Sequence, residues 1–187
     1  MIVSAARGTG RNGDGQLGNG TTTSLSVPKQ ILAGDVSSVS AGYYHTLIVK
    51  TGGALWATGY NKSGQLGNGG TTGVSAPVLV MTHGVASVSA GVNFSLVVKT
   101  GGSLWAAGYN KNGQIGNGSK EDVLVPKQVL AGGVAAVSGG LVHSVILKTD
   151  HSLWTTGYNS NGELGNGSGS GVLTPVQIRR PSISKDD

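Results

Sequence analysis

The sequence contains no cysteine. That excludes disulfide staples, thiolate metal sites and cysteine nucleophiles. Charged side chains are scarce, at 11% of residues, and the net charge of +5 is spread thinly. The densest basic cluster is Arg179, Arg180 and Lys185 near the C-terminus. A nucleic-acid footprint is a concentrated basic patch, so nucleic acid is not an expected partner. No apolar run approaches the roughly 18 residues of a membrane helix. The N-terminus lacks the charged, apolar, small-residue order of a secretory leader. No membrane association is expected, and the cytoplasm is the default location. The eight acidic residues are mostly isolated and form no repeated carboxylate pair. The serines sit in glycine-rich turns without a nucleophile elbow. The sequence therefore points to no catalytic residue, no cofactor and no metal ligand, and to a protein that is not an enzyme.

What is abundant is glycine, with 34 residues. Without a collagen period, glycine at this level signals many turns. Hydrophobic residues make up 37% of the chain and fall in short, regularly spaced runs, which argues for a folded domain over disorder. Near the N-terminus, Gly8 to Gly13 reads GTGRNG, a literal G-x-G-x-x-G. A dinucleotide loop needs a helix opening at its last glycine. Here the chain continues DGQLGNGTTT, with no 3.6-residue apolar period.

Self-similarity supplies the better explanation. LWATGYNKSGQLGNG (Leu55 to Gly69), LWAAGYNKNGQIGNG (Leu104 to Gly118) and LWTTGYNSNGELGNG (Leu153 to Gly167) align without a gap, and Trp56, Trp105 and Trp154 are spaced by 49 residues. Stepping back one period places Asn61 on Asn12, Gln65 on Gln16 and Asn68 on Asn19. GTGRNG is thus a degraded copy of the same unit, with Arg7 at the tryptophan position and Arg11 at the tyrosine position. Both read as a polar cap.

Each unit reads as four strands: V-x-x-V-S, then the H-T-L-I-V-K type, then L-W-A-T-G, then a strand led by Pro28, Pro77, Pro126 or Pro175. The second and third are joined by tight turns at Gly52-Gly53, Gly101-Gly102 and Asp150-His151, read as two-residue hairpins needing positive φ. Nothing in the unit looks helical. Four-stranded units at a period near 50 describe the blades of a β-propeller. The fold class is all-β: about three and a half 49-residue repeats, forming an open arc or a ring closed by self-association. The expected boundaries are 1–178 for the repeats (1–35 a partial blade, then blades 36–84, 85–133 and 134–178) and 179–187 for a flexible basic tail.

On the motifs SAGYYHT (Ser40 to Thr46), LWATGYN (Leu55 to Asn61) and GQLGNG (Gly64 to Gly69), repeated in order, the chain resembles the regulator of chromosome condensation repeat family. The resemblance implies a propeller, usually of seven blades. Known members include a nucleotide exchange factor for a small nuclear GTPase that docks on chromatin, bacterial effectors and a secreted inhibitor of β-lactamases. Fold alone does not choose among them. The exchange factors carry an extra hairpin wedge, and no insertion interrupts the 49-residue register here.

Residues fixed in every unit serve the unit. Trp56, Trp105 and Trp154, with Tyr60, Tyr109 and Tyr158, are read as packing between blades. His45 and His143 occupy equivalent positions and Phe94 the one between them, which a metal site would not accept; they are read as making a blade-internal hydrogen bond. Gly42, Gly91 and Gly140 before them suggest a tight turn. Asn61, Asn110 and Asn159, with Asn68, Asn117 and Asn166, are read as turn formers that tolerate left-handed backbone. Asn12-Gly13-Asp14-Gly15 is only a faint calcium loop, because the other copies carry no acid at the position of Asp14. Asn19, Asn93, Asn117 and Asn166 match glycosylation acceptors as a by-product of the repeat, and Arg179 to Ser182 matches a basophilic kinase site in the tail.

Recognition is expected where units differ, because loops change without disturbing a core. The candidate partner-binding residues are Tyr43, Tyr44, Val92, Asn93, Leu141 and Val142 before the histidine position. Thr72, Lys120, Glu121 and Asp122 join them between the third and fourth strands. The expected function is a non-enzymatic protein-binding module whose partner is a protein. The alternatives are a guanine-nucleotide exchange factor or regulator of a small GTPase, and a structural or surface-adhesion repeat protein. Unpaired ends make a homo-oligomer that closes the propeller an expected assembly.

Overall fold

The computed structural model describes residues 6–178, and the expected tail, 179–187, lies outside them. The described residues contain strands and turns only. A first sheet has two strands, β1 (Ala6–Gly10) and β2 (Leu25–Leu32). The second has four: β3 (Val36–Ala41), β4 (His45–Lys50), β5 (Leu55–Gly59) and β6 (Val74–Met81). The third holds β7 (Val85–Ala90), β8 (Phe94–Lys99), β9 (Leu104–Gly108) and β10 (Val123–Leu130). The fourth holds β11 (Val134–Gly139), β12 (His143–Lys148), β13 (Leu153–Gly157) and β14 (Val172–Gln177). Strands pair in sequence order and antiparallel throughout, as short connections dictate. The sheets stand side by side as propeller blades and do not close into a ring.

The apolar core lies between sheets. Leu47, Val49, Leu55, Ala57 and Leu66 of the second sheet pack against Val85, Val88, Val97 and Trp105 of the third. Phe94, Leu96, Val98, Leu104, Ala106 and Ile115 of the third repeat the pattern against Val134, Val137, Ile146 and Trp154 of the fourth. The inner strands of the second and third sheets are therefore buried on both faces, as Leu47, Ile48, Val49 and His45 of β4 show, whereas in the fourth sheet Leu147 of β12 and Leu153 of β13 are exposed. Each buried aliphatic side chain contributes about 1.5–3 kcal/mol relative to exposure.

Two local expectations are corrected. The hairpins between second and third strands are three-residue loops. Lys50 N donates to Ala54 O while Gly53 N donates to Lys50 O, and the third loop residue has positive φ: Gly53 (80°), Gly102 (75°) and His151 (64°). In the first loop Gly52 is at positive φ as well (97°), while Gly101 and Asp150 are not. The shared feature is a left-handed residue at the third loop position, which His151 adopts at some cost in strain. The prolines also do not lead the fourth strands. Pro28, Pro77, Pro126 and Pro175 stand inside β2, β6, β10 and β14, where the register slips. These are outer strands, and a proline at an irregularity removes no ladder bond.

Candidate functional site

The asparagines repeated in every unit build the loop that joins third to fourth strand. Asn61 is fully buried; its Nδ2 donates to Asn68 Oδ1 (2.9 Å), Gly70 O (3.0 Å) and Thr72 O (3.2 Å), and its Oδ1 accepts from Leu66 N (2.9 Å). Asn12, Asn110 and Asn159 do the same. None of them has positive φ. They form turns without left-handed backbone: Asn61 O accepts from Gly64 N (2.9 Å) and Asn68 Oδ1 from Gly70 N (3.2 Å), as the equivalent residues do in the later units, and the buried amide adds a side-chain staple that closes the loop.

The stapled loop then clasps the next sheet. Gly69 N donates to Leu124 O (3.0 Å) and Gly118 N to Leu173 O (2.9 Å). Hydroxyls of the next sheet answer back: Thr46 Oγ1 to Gln16 O (2.7 Å), Ser95 Oγ to Gln65 O (2.6 Å) and Ser144 Oγ to Gln114 O (2.6 Å). Glycine is needed where the loop touches down. A Cβ on Gly64, whose φ is 78°, would stand 2.5 Å from Leu124.

His45 belongs to this clasp, which corrects the blade-internal hydrogen bond. Its Nε2 lies 2.9 Å from Ser95 Oγ on the neighbouring sheet. Ser95 already donates to Gln65 O, so Nε2 carries the proton and donates. Nδ1 is buried without a partner, and burial pushes the pKa down to about 4. The ring packs on Gly42, where a Cβ would stand 2.9 Å from it. Phe94 packs on Gly91 in the same way. His143 takes the equivalent place in the last sheet, half-buried.

Trp105 and Trp154 reach across to the preceding sheet's core cluster. Lysines of the adjacent strand lie over the rings, with Lys50 Nζ 4.9 Å from the Trp56 centroid, Lys99 4.5 Å from Trp105 and Lys148 4.1 Å from Trp154.

Antiparallel succession sends the first-to-second and third-to-fourth connections out of the same end of each sheet. Both sets of variable residues therefore share one face, held together by Tyr60 N to Tyr44 O, Tyr109 N to Asn93 O and Tyr158 N to Val142 O, each 2.9 Å. On that face Tyr44 and Asn93 line a cavity of about 270 Å³ with Asp14 and Tyr60, residues from three sheets. The Tyr44 ring sits 4.4 Å from Tyr43 and 5.7 Å from Tyr60, and the Arg11 guanidinium lies 5.3 Å over it. Arg11 also approaches Asp14 at 3.4 Å. Tyr43 is 64% and Leu141 65% exposed.

A second hollow, about 200 Å³, gathers Lys111, Lys120, Tyr158 and Leu173. Glu121 is exposed and pairs with Lys111 at 3.5 Å, while Asp122 caps Asn110 N at 3.0 Å. Thr72 is exposed and lines neither hollow; its carbonyl serves the Asn61 staple. Val92 and Val142 are half-buried, and Val92 N donates to Gly140 O across sheets (3.3 Å). Sequence reasoning missed Arg11, Asp14 and Lys111 as members of this face. The signal was available for Arg11 and Asp14, which depart from their counterparts in every other unit, but not for Lys111, whose counterpart Lys62 is the same residue. Among the described residues, no group of three or more His, Asp or Glu could hold a metal ion.

Two models, both described as Regulator of chromosome condensation (RCC1) repeat, match residues 36–65, 85–114 and 134–163, and residues 8–49, 52–98 and 101–147. The chain belongs to the RCC1 repeat family. No curated protein matches it in sequence. Among solved structures it is similar to Prp20p of Saccharomyces cerevisiae, at 19% identity and a TM-score of 0.84, covering 96% of this chain and 47% of that one. Yeast RCC1 (Prp20) bound to Kap60 gives 19% identity and 0.82, with 96% and 45% covered. Human WBSCR16 gives 23% and 0.77, with 90% and 46% covered. The chain thus spans about half the length of these propellers. RCC1 repeats define the blade; these likenesses establish its fold.

Proposed function

We propose that this RCC1-repeat arc is a non-enzymatic module that binds a protein partner through the face built by Tyr43, Tyr44, Val92, Asn93, Leu141 and Val142 with Lys120 and Glu121. The observation that carries the reading is the tyrosine cluster: Tyr43, Tyr44 and Tyr60 packed together beside Arg11 and Asp14. The repeat does not require it, since the other units place Asn93 and Val142 where Tyr44 stands. Tyrosine and arginine on a rigid support are the residues that anchor protein interfaces. The supporting sheets hold their loops by buried asparagines, so the face is preformed.

The test is capture of partners from the host by the wild-type chain and by Tyr43→Ala/Lys120→Ala, with melting temperature measured on both. Both side chains are exposed, so the melting temperature should hold while captured partners are lost. Equal capture by the two chains would refute the reading.

A second reading is regulation of a small GTPase. It is favoured by the similarity to Prp20p, a protein studied for binding Gsp1p and histones. Nucleotide release from a panel of small GTPases separates the two readings, because a simple binding module leaves release rates unchanged. Self-association that closes the ring is a further part of this proposal, and light scattering after size exclusion reads it directly.

A further inference from the structure

We propose that the cavity lined by Asp14, Tyr44, Tyr60 and Asn93 receives an arginine side chain of the partner protein. The cavity is part of the loop face of the preceding proposal, and its role rests on that reading. It encloses about 270 Å³. Its walls are one carboxylate, one amide and two aromatic rings, tilted at 51° with centroids 5.7 Å apart. Aromatic faces attract cations, and a carboxylate accepts both N–H groups of a guanidinium fork. An amide oxygen takes two hydrogen bonds; Asn93 Oδ1 takes one, from Gln65 Nε2 (3.1 Å). A planar guanidinium can stack and donate at once, where an ammonium is a point charge.

The chain displays this chemistry on itself. Arg11 holds its guanidinium 5.3 Å over the Tyr44 ring and 3.4 Å from Asp14 Oδ2. Among the described residues the Asp14 carboxylate has no other partner. The Arg11 side chain is 64% exposed, and an exposed ion pair is held weakly. Arg11 is therefore a displaceable occupant at the mouth of the cavity, and a second guanidinium brought in by a partner would compete with it for the same ring and the same acid.

The repeat does not demand such a site. One period on, the places of Asp14, Tyr44 and Tyr60 are taken by Ser63, Asn93 and Tyr109, and two periods on by Asn112, Val142 and Tyr158. The tyrosine at the Tyr60 position serves every complete unit. The acid and the second ring occur together only where the first sheet meets the second. The same comparison supplies mild substitutions: the fold already accepts serine at the place of Asp14 and asparagine at the place of Tyr44. Asp14→Ser and Tyr44→Asn therefore dismantle the cavity with residues the blade tolerates.

The probe is acetyl-Gly-Arg-Gly-amide, titrated at low salt into the isotope-labelled full chain and followed by nuclear magnetic resonance. The expected result is saturable, weak binding, with shifts confined to the loops that carry Asp14, Tyr44, Tyr60 and Asn93. The citrulline tripeptide, similar in shape but neutral, should bind at least about ten-fold more weakly, and the lysine tripeptide roughly three-fold more weakly. Asp14→Ser should weaken arginine binding about ten-fold, whereas Arg11→Gln should tighten it roughly two- to five-fold. The proposal is overturned if the arginine tripeptide does not bind, if citrulline or lysine binds as well, if the shifts gather elsewhere, or if Asp14→Ser changes nothing. Partner capture separates this site from the wider face. Capture lost by Tyr43→Ala/Lys120→Ala but kept by Asp14→Ser/Tyr44→Asn overturns the arginine site alone. Equal capture by wild type and both variants refutes the face, and with it a partner as the source of the arginine.

Discussion

His45 of one sheet and Ser95 of the next are joined by a 2.9 Å hydrogen bond in which the imidazole Nε2 is the donor, while the Ser95 hydroxyl donates its own hydrogen bond to Gln65 O. This relay leaves Nδ1 as a buried lone pair. Protonating it would place a charge where no acceptor waits.

The sign of the resulting pH dependence follows. Folding lowers the His45 pKa from 6.5 to about 4. Between these values the unfolded chain binds a proton that the folded chain refuses, so stability falls as pH drops from 6.5 to about 4 and is unaffected by His45 above 6.5. The full loss is about 3 kcal/mol. His45→Phe, the residue that Phe94 already supplies one sheet later, removes this component. Urea unfolding of both chains from pH 7 to pH 4 measures the difference.

Asn110 makes three donor contacts and one acceptor contact from a fully buried position. Asn110→Ala strands four loop groups and should cost about 2–4 kcal/mol. Asn110→Asp should cost at least as much, because it turns an acceptor toward three acceptors. Chemical denaturation gives both values, and a loss under about 0.5 kcal/mol would refute the staple.

Thr58 Oγ1 donates toward Gly15 O and Val74 O (both 2.9 Å), and Thr156 Oγ1 toward Gly113 O (2.9 Å) and Val172 O (3.1 Å). The intervening unit has Ala107. Ala107→Thr should restore a bond to Gly64 O or Val123 O and stabilise by about 0.5–1 kcal/mol, read as a rise in melting temperature.

Trp105 Nε1 donates to Ser103 Oγ (3.1 Å) and Trp154 Nε1 to Ser152 Oγ (2.8 Å). Trp56 follows Ala54, and its Nε1 is buried without a partner. Ala54→Ser should gain about 1 kcal/mol. The same change reversed, Ser103→Ala, should lose a similar amount.

The architecture was legible because the repeat is register-perfect: Trp56, Trp105 and Trp154 mark third strands, and the glycine-asparagine blocks mark loops. What stayed hidden was how one unit grips the next. Ser95 meets Gln65 across 30 residues and Thr58 meets Gly15 across 43, separations that leave no periodic trace beyond the repeat itself. His45 misled for the same reason. Its alternation with Phe94 excluded a metal but was silent on whether its partner sat within the sheet or beside it. The asparagines were legible as turn residues, as Asn68 Oδ1 to Gly70 N shows, but the full burial of Asn61, Asn110 and Asn159 was not, because burial is a property of tertiary packing. Of the candidate face, the exposed loops were legible from their variability, but the gathering of Arg11, Asp14, Tyr44 and Tyr60 depends on sheets meeting at an angle.

The clasp always runs from an earlier sheet to a later one, as Gly69 to Leu124 and Gly118 to Leu173 show. Tension applied at the C-terminal end should therefore peel the molecule one blade at a time, not all at once. Each event would pay out one period of chain, about 160–175 Å of contour. A force–extension trace would then show a short, evenly spaced sawtooth, the mechanical image of a unit that carries its own latch.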